Sequence, residues 1–452
     1  MSDDATLDEF ADSEKTGTNQ EVPPPTELTG VPDDWANVRL AKVAKSDDGA
    51  FVDGPFGSNL KADEMHAEGY ARVIQLQNIR ESEFVDTNHR YISEEKFEEL
   101  SRHGAEAGDL AIAKMSEPVA RACLLPDIED QYLVVADCIK LSVDESAHNN
   151  QFVMLALNSR PVWKQAFARS RGSTRKRINL TQLKEVQIPS PPLSEQRKIA
   201  TVLHTVDQAI QKTEEIIEQT RRTKTGIQQE LFTDGYYDHK PFVETRIGKL
   251  PDSWKLEKIK NHTELVSGAH VKSDLVSDDS SLTPYLTGPD DFDEFGFTVT
   301  KYTDDPSKFC EAGDTLITVK GSGCGKSTFA NQRACISRQL KALRPKDTVE
   351  ELYLFYFVET KQKLLETLAE GSAIPGLSNS HLISLDIPIP SREEQNKIAE
   401  ILKRYDEQIA HEKNYKSQLQ RLKQGLMQDL LSGEVRTTDA EIDIPEEVTK
   451  YG

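Results

Sequence analysis

The sequence predicts an α+β chain in which two mixed α/β globular domains alternate with two long helices that pair as an antiparallel coiled coil. Three observations predict it. First, from Gly172 to Leu231 the sequence recurs at an offset of 199 without a gap. Ile188-Pro189 returns as Ile387-Pro388 and Pro191 as Pro390. Glu195-Gln196-x-Lys198-Ile199-Ala200 returns as Glu394-Gln395-x-Lys397-Ile398-Ala399. Second, the residues after each proline cluster step 4, 3, 4, 3 in a heptad seam. Third, the upstream agreement loosens: Pro32-Asp33-x-Trp35 pairs with Pro251-Asp252-x-Trp254 at 219, and Gly108-Asp109 with Gly313-Asp314 at 205. A period this long is duplication of a whole domain, not a solenoid repeat. Its helical part is locked in length and its globular parts are not.

The elements follow in order. Residues 1–27 hold eight acids and one Lys and read as a disordered acidic tail. Residues 28–192 form the first globular domain, with strands near 70–76, 110–114, 133–135 and 139–143 and a helix around Gln151–Arg169. Pro189, Pro191 and Pro192 stop the chain ahead of a helix, and Ser194 is a cap candidate. The central long helix spans 193–235, with its seam on Ile199, Leu203, Val206, Ile210, Thr213, Ile217, Thr220, Lys224, Ile227 and Leu231. A turn-rich linker, 236–250, leads to the second globular domain, 251–391. The C-terminal long helix, 392–433, carries Ile398, Leu402, Tyr405, Ile409, Glu412, Lys416, Leu419, Lys423, Leu426 and Leu430. Two amphipathic stripes in one chain need a partner, and each supplies the other's. Residues 434–452 form a second acidic tail that also reads as disordered.

Composition excludes several classes. At 452 residues the chain fits two domains with connecting elements. It has no apolar run near 18 residues and no secretory leader, so no membrane association is expected. The five cysteines are scattered without a CxxC or Cys/His cluster, which points to reduced thiols in a cytoplasm and to no metal site. The net charge of −21 falls to −10 for residues 28–433 once the tails are set aside. An acidic balance argues against a nucleic-acid partner, unless the carboxylates hydrate a protein from a salty cytoplasm.

The doubled pattern of Ile-Pro-x-Pro, Glu-Gln-x-Lys-Ile-Ala and a long helix resembles the DNA-specificity subunit of type I restriction–modification systems. The Trp35 and Trp254 openings and the strands at Gly108-Asp109-Leu110 and Gly313-Asp314-Thr315 resemble that family's target-recognition domains. The resemblance covers about residues 28–435. It implies that each domain reads half of a bipartite site in double-stranded DNA. It further implies that the paired helices set the gap and hold DNA methyltransferase subunits, with a restriction/helicase subunit as a further partner in DNA methylation and restriction.

Two local signals bear on DNA contact. Residues 160–178 hold seven positives and no acid, including Arg169, Arg171, Arg175, Lys176 and Arg177. Gly172 and Ser173 interrupt this island, placing Arg175–Arg177 on a loop. Such clusters neutralise phosphates, and Arg can pair bidentately with guanine; the alternative is a solvated loop. The matching Gly371–Asn379 has no basic residue. The second domain's positives are Lys320, Lys326, Arg333, Arg338 and Lys341, and of these Lys320, Lys326 and Arg333 complete the candidate set.

The other signal is the glycine-rich loop Gly321–Thr328, GSGCGKST, after a β-type run. A Walker loop needs Gly at 320, where Lys320 stands, and a helix after Lys326, where no apolar stripe appears. A P-loop ATPase therefore remains an alternative, as does a coiled-coil scaffold that binds only proteins. Glycines also let a backbone approach DNA closely. Trp35 and Trp254 read as core anchors. No adenine-methyltransferase, nuclease or helicase motif stands out, so no catalytic residue and no cofactor are expected.

Overall fold

The computed structural model describes residues 28, 31–115, 118–172, 175–321, 323–370 and 376–450. The N-terminal tail expected at 1–27 lies outside them. The described chain forms two compact units, one of residues up to Ile210 together with those from Gln418 onward, the other Gln211–Ser417. Each unit is one globular domain with part of each long helix.

In the first unit a four-stranded antiparallel sheet runs in the order Phe51–Asp53, Cys138–Leu141, Leu110–Ala113, Ala122–Leu124. A second sheet runs Tyr91–Ile92, Ala71–Ile74, Tyr132–Val134, Gly104–Ala105, and its central pair is parallel. Leu110–Ala113 and Cys138–Leu141 are buried at every residue. That is why they read as short unbroken β-type runs rather than alternating ones. The helix expected over 151–169 is two, Asn150–Leu157 and Arg160–Arg169. Pro161 opens the second, because proline suits a first helical turn and cannot serve an interior one.

The second unit repeats this plan. Thr263–Ser267, Leu340–Pro345, Thr315–Thr318 and Ser327–Phe329 make the antiparallel sheet. A five-stranded sheet holds the parallel pair Thr283–Leu286 and Ala334–Ile336. Helices Glu351–Thr360 and Gln362–Glu370 follow. Each domain is closed by its first and last strands: Ala36–Arg39 pairs with Gln187–Ser190, and Lys255–Lys258 with Asp386–Ile389. The repeated Ile-Pro is thus a closing strand as well as a helix stop. A two-stranded ribbon tolerates proline because few ladder bonds are lost.

The long helices span Leu193–Thr233 and Arg392–Ser432, 41 residues each, about 60 Å at roughly 1.5 Å per residue. They pack against each other. Lys423 meets Asp207 at 2.6 Å in one unit and Lys416 meets Glu214 at 2.6 Å in the other, so the pairing is antiparallel. None of the twenty seam residues is exposed. The apolar ends enter the domain cores: Ile199, Leu203, Leu430 and Leu431 join Trp35 and Phe152, while Leu231, Phe232, Ile398 and Leu402 join Trp254 and Tyr353. The polar middle is matched by ion pairs.

The connecting segments carry structure of their own. The linker carries a hairpin, Phe242–Thr245 with Gly248–Pro251. The C-terminal acidic segment, expected to be disordered, packs on the first unit. Val448 is buried in its core, and its carbonyl accepts a hydrogen bond from Asn149 Nδ2 at 2.7 Å. Isolated apolar residues among acids carry no periodic signal, so this docking is not legible locally. Among the described residues no helix is long and apolar enough to cross a membrane.

Candidate nucleic-acid interface

In each unit one end of the antiparallel sheet collects loops from distant parts of the chain. In the second unit Thr318 pairs with Leu340 and Ser267 with Lys341. The segments from Gly268, from Val319 and before Leu340 therefore emerge together. The first and last of these border a cleft of about 720 Å³ whose lining includes His270, Lys272, Lys301, Arg338 and Gln339. The first unit has the same frame, bond for bond. Val319 N donates to Gln339 O at 2.7 Å, as Lys114 N does to Asp137 O at 2.9 Å. Leu377 N donates to Val319 O and Ile178 N to Lys114 O, both at 2.9 Å. Asp53–Phe56, Lys114–Met115, Asp137, Arg171–Gly172 and Arg175–Arg177 are thus the counterparts of the second domain's loops.

The basic island ends at this sheet end. Arg171 and Arg177 exchange backbone hydrogen bonds at 2.9 Å each, closing a small loop. Gly172 makes the turn at φ +111°, where a Cβ would lie 2.3 Å from Arg175 O, so only glycine fits. Arg171 and Arg175 are exposed and make no side-chain ion pair among the described residues. Lys176 Nζ lies 4.9 Å from the centre of the Phe167 ring. Arg177 pairs with Asp137 at 2.9 Å. Arg169 stands apart: it is half-buried on its helix, bonds Gln165 O at 3.2 Å, and burial lowers its pKa. The matching residues 371–375 lie outside the described ones.

Gly321 and Gly323–Lys326 lie in the turn of an antiparallel hairpin, with Ser327 opposite Ile317. Three of its amides are used internally: Cys324 N to Gly321 O, Gly325 N to Thr318 O and Lys326 N to Gly323 O. A phosphate-cradling loop needs free amides and a following helix; this one has a strand. The ATPase alternative is set aside on that geometry. Lys320 and Lys326 are exposed on this hairpin. Lys341, beside Lys320, hydrogen-bonds Ser267 and Asn379, and its pKa is lowered by burial and by the neighbouring charge. Arg333 is not brought to this end. It leads into the far end of strand Ala334–Ile336, pairs with Glu311 at 3.3 Å and stacks 4.1 Å above Phe309.

Sequence reasoning missed His270, Lys272, Gln339 and Asp137 as members of this end. The available signal was a pair of glycines. A Cβ on Gly54 would lie 2.1 Å from Val135 O, and one on Gly268 would lie 2.0 Å from Ser337 O. In both domains a loop is pressed against the turn before the central strand.

The repeated motif residues do something else. Trp35 Nε1 donates to Glu195 at 3.2 Å, and Trp254 Nε1 to Glu394 at 3.0 Å. Glu195 also holds Arg436, which pairs with Asp34 as well; Arg436 keeps the Glu195 carboxyl below its usual pKa. Glu394 instead holds Tyr236 N at 2.9 Å and His239 at 2.7 Å. Gln196 and Gln395 each donate to a proline carbonyl five residues back and accept from a domain amide, Asn149 N or Glu350 N. The Glu-Gln motif is the joint between helix start, domain and the segment that follows the other helix.

Comparison with known proteins matches this architecture. A family model described as the type I restriction modification DNA specificity domain matches residues 32–220 and again 251–421. The chain is 25% identical over 419 residues to the putative type I restriction enzyme MjaX specificity subunit of Methanocaldococcus jannaschii, covering 91% of this chain and 96% of that one. It is 24% identical over 426 residues to the MjaVIII specificity subunit of the same organism, covering 90% and 94%. Among solved structures, the type I restriction–modification S subunit from M. genitalium aligns with a TM-score of 0.55 at 16% identity over 89% of this chain and 97% of that one. A chain from a type I R-M system, solved for its complex assembly and conformational transition, aligns at 0.57 and 20% over 90% and 99%. These two likenesses are of fold. With both halves of its duplication matched by the family model, the chain belongs to the type I restriction–modification DNA-specificity family.

Proposed function

We propose that the chain is the non-catalytic reader of a cytoplasmic type I complex, each domain recognising one half of a bipartite site in double-stranded DNA. In this reading the paired helices set the gap between half-sites and hold methyltransferase subunits, and a restriction/helicase subunit joins the assembly. The observation that carries it is the contrast between frame and face. A helix of 41 residues follows each domain and a matching Glu-Gln joint stands in each unit, while the equivalent sheet ends carry different charges. Arg171, Arg175, Lys176, Lys320 and Lys326 are the favoured phosphate or base contacts, with Arg177 partly neutralised by Asp137. Arg169 and Arg333, named with them from sequence, are better explained by their protein partners.

The test lengthens both helices by one heptad, after Ile210 and after Leu419. Seven residues add about 10 Å at roughly 1.5 Å each. That is about three base pairs at roughly 3.4 Å. The assembled complex should select the same half-sites with a gap longer by that amount. The same gap with activity retained would overturn the reading of the helices as a spacer.

A further inference from the structure

The second domain's sheet end contains a turn whose backbone is tied at several points while the side chains of Arg338 and Gln339 are not. Ser337 N donates to Leu286 O at 3.0 Å and Leu340 N to Ser337 O at 3.0 Å. Ser337 Oγ donates to Thr287 O at 2.6 Å and accepts from Gln339 N at 3.1 Å. Val319 N completes the set on Gln339 O. A turn tied at this many points holds its side chains in place. Yet Arg338 and Gln339 are exposed, and neither side chain makes a hydrogen bond or ion pair among the described residues. Around them the relief is low. Gly268 is pressed on Ser337, and a Cβ on Gly288 would lie 2.9 Å from Gln339 Oε1. The cleft beside the turn is lined by Lys272 and His270, while Lys301 there is already paired with Asp278 at 2.6 Å.

The first domain builds the same turn. Val135 N donates to Ile74 O at 3.1 Å, Cys138 N to Val135 O at 2.8 Å, and Lys114 N to Asp137 O at 2.9 Å. Ala136 and Asp137 therefore occupy the places of Arg338 and Gln339. A constant backbone carries a small apolar residue and a carboxylate already paired with Arg177 in one domain, a guanidinium and an amide unpaired among the described residues in the other. These are different hydrogen-bonding vocabularies. Arg pairs bidentately with guanine O6 and N7, Gln with adenine N6 and N7, and a carboxylate accepts from cytosine N4.

We propose that the turn before the second domain's central strand is a base-reading element, and that Arg338 and Gln339 read neighbouring guanine and adenine edges in the second half-site. The proposal rests on the recognition reading above and narrows it to two side chains. Lysines on the flanking hairpin, Lys320 and Lys326, then position the backbone and carry no sequence information.

The experiment selects a library of duplexes, randomised across both half-sites and the gap, for binding to the assembled complex. Wild type is compared with Arg338→Ala, Arg338→Lys and Gln339→Ala at several salt concentrations. Arg338→Ala is expected to lose preference at one base pair of one half-site by roughly five- to 150-fold, the worth of one bidentate pair. Arg338→Lys keeps the charge but not the fork, so it should lose the same preference with an unchanged salt dependence. Gln339→Ala should relax the adjoining position. The other half-site should be selected as before. Variants that select the wild-type sequence would overturn the proposal. So would a uniform weakening with a shallower salt dependence, which marks a phosphate contact. If wild type itself selects no sequence, the recognition reading fails with it; if wild type selects and the variants match it, only the turn is wrong.

Discussion

The duplication supplies an internal control on burial. Lys224 and Asp406 recur as Lys423 and Asp207 with the roles of the two helices exchanged, and both pairs form, at 2.7 and 2.6 Å. The first is buried, its side chains 10% and 6% exposed; the second is 20% and 38% exposed. Lys224 also meets Glu359 at 3.1 Å, and Asp406 accepts from Tyr356 Oη at 2.7 Å. Gln228 ties Glu359 to the same cluster at 2.9 Å. Lys224→Met would leave two neighbouring carboxylates without their cation. Removing one partner of a buried pair costs about 3–5 kcal/mol. Lys423→Met breaks a pair that water screens, at a cost below about 1 kcal/mol.

The two variants are compared by urea unfolding of the full chain, with hydrogen exchange in Glu351–Thr360 reporting on the cluster. Burial holds the Asp406 carboxyl above its usual pKa, against the pull of Lys224. A carboxyl with a raised folded pKa contributes most favourably at low pH, and loses that contribution as pH rises through the raised value. Without Lys224 the rise is steeper, so the Lys224→Met deficit should shrink as pH falls and Asp406 takes up a proton. Adding Asp406→Leu should recover much of the loss at neutral pH, since an apolar pair can replace a buried ionic one. Equal losses in Lys224→Met and Lys423→Met, or a deficit that does not move with pH, would refute the reasoning.

Further outcomes are expected elsewhere. Glu195→Ala leaves Trp35 Nε1 buried without its acceptor, a loss of about 1–3 kcal/mol by thermal unfolding. Because Arg436 depresses the Glu195 pKa, its stabilisation is present above the ordinary carboxylate value. It is lost as pH falls through the depressed one, so the variant's acid limb should be shallower. Replacing Arg171 and Arg175 by Ala should reduce the log–log salt slope of DNA binding by about 0.9 for each phosphate that is no longer neutralised. Arg177→Ala should change it less, because Asp137 already offsets that charge. ATP should leave the thermal midpoint of the isolated chain where it is; a shift abolished by Lys326→Ala would reinstate nucleotide binding.

The helices were legible because their signal is local and periodic. All twenty seam residues chosen by spacing avoid exposure, even Lys224 and Glu412, which composition alone would place in water. The duplication was legible because the joints tolerate no insertion. The candidate interface was legible only where charge clusters along the chain, as at Arg171–Arg177. The second domain's face is assembled from His270, Lys320 and Arg338, three segments joined by strand pairing at long range, and no window of sequence contains them together. Arg333 shows the converse error. It is close to Arg338 in sequence, but one strand lies between them, and a strand carries the chain from one end of a sheet to the other.

The division between repeated and divergent residues follows from what each touches. Glu195 satisfies Trp35, Arg436 and Thr437 N, which belong to the domain start and the segment after the second helix. Changing it disturbs three parts of the chain at once, and Glu394 is bound to its own surroundings in the same way. Asp137 and Gln339 lend the frame backbone groups, a carbonyl each and, from Gln339, an N–H to Ser337 Oγ. Any residue but proline could supply those groups without disturbing the chain before it, and the exposed Asp137–Arg177 pair is worth at most about 1 kcal/mol, so their side chains can change at little cost to the fold. A reader of changing sequences needs that arrangement: side chains free to vary, mounted on backbone that cannot move. The Glu-Gln joint fixes where the mount stands, and the turn before the central strand offers the side chains that vary.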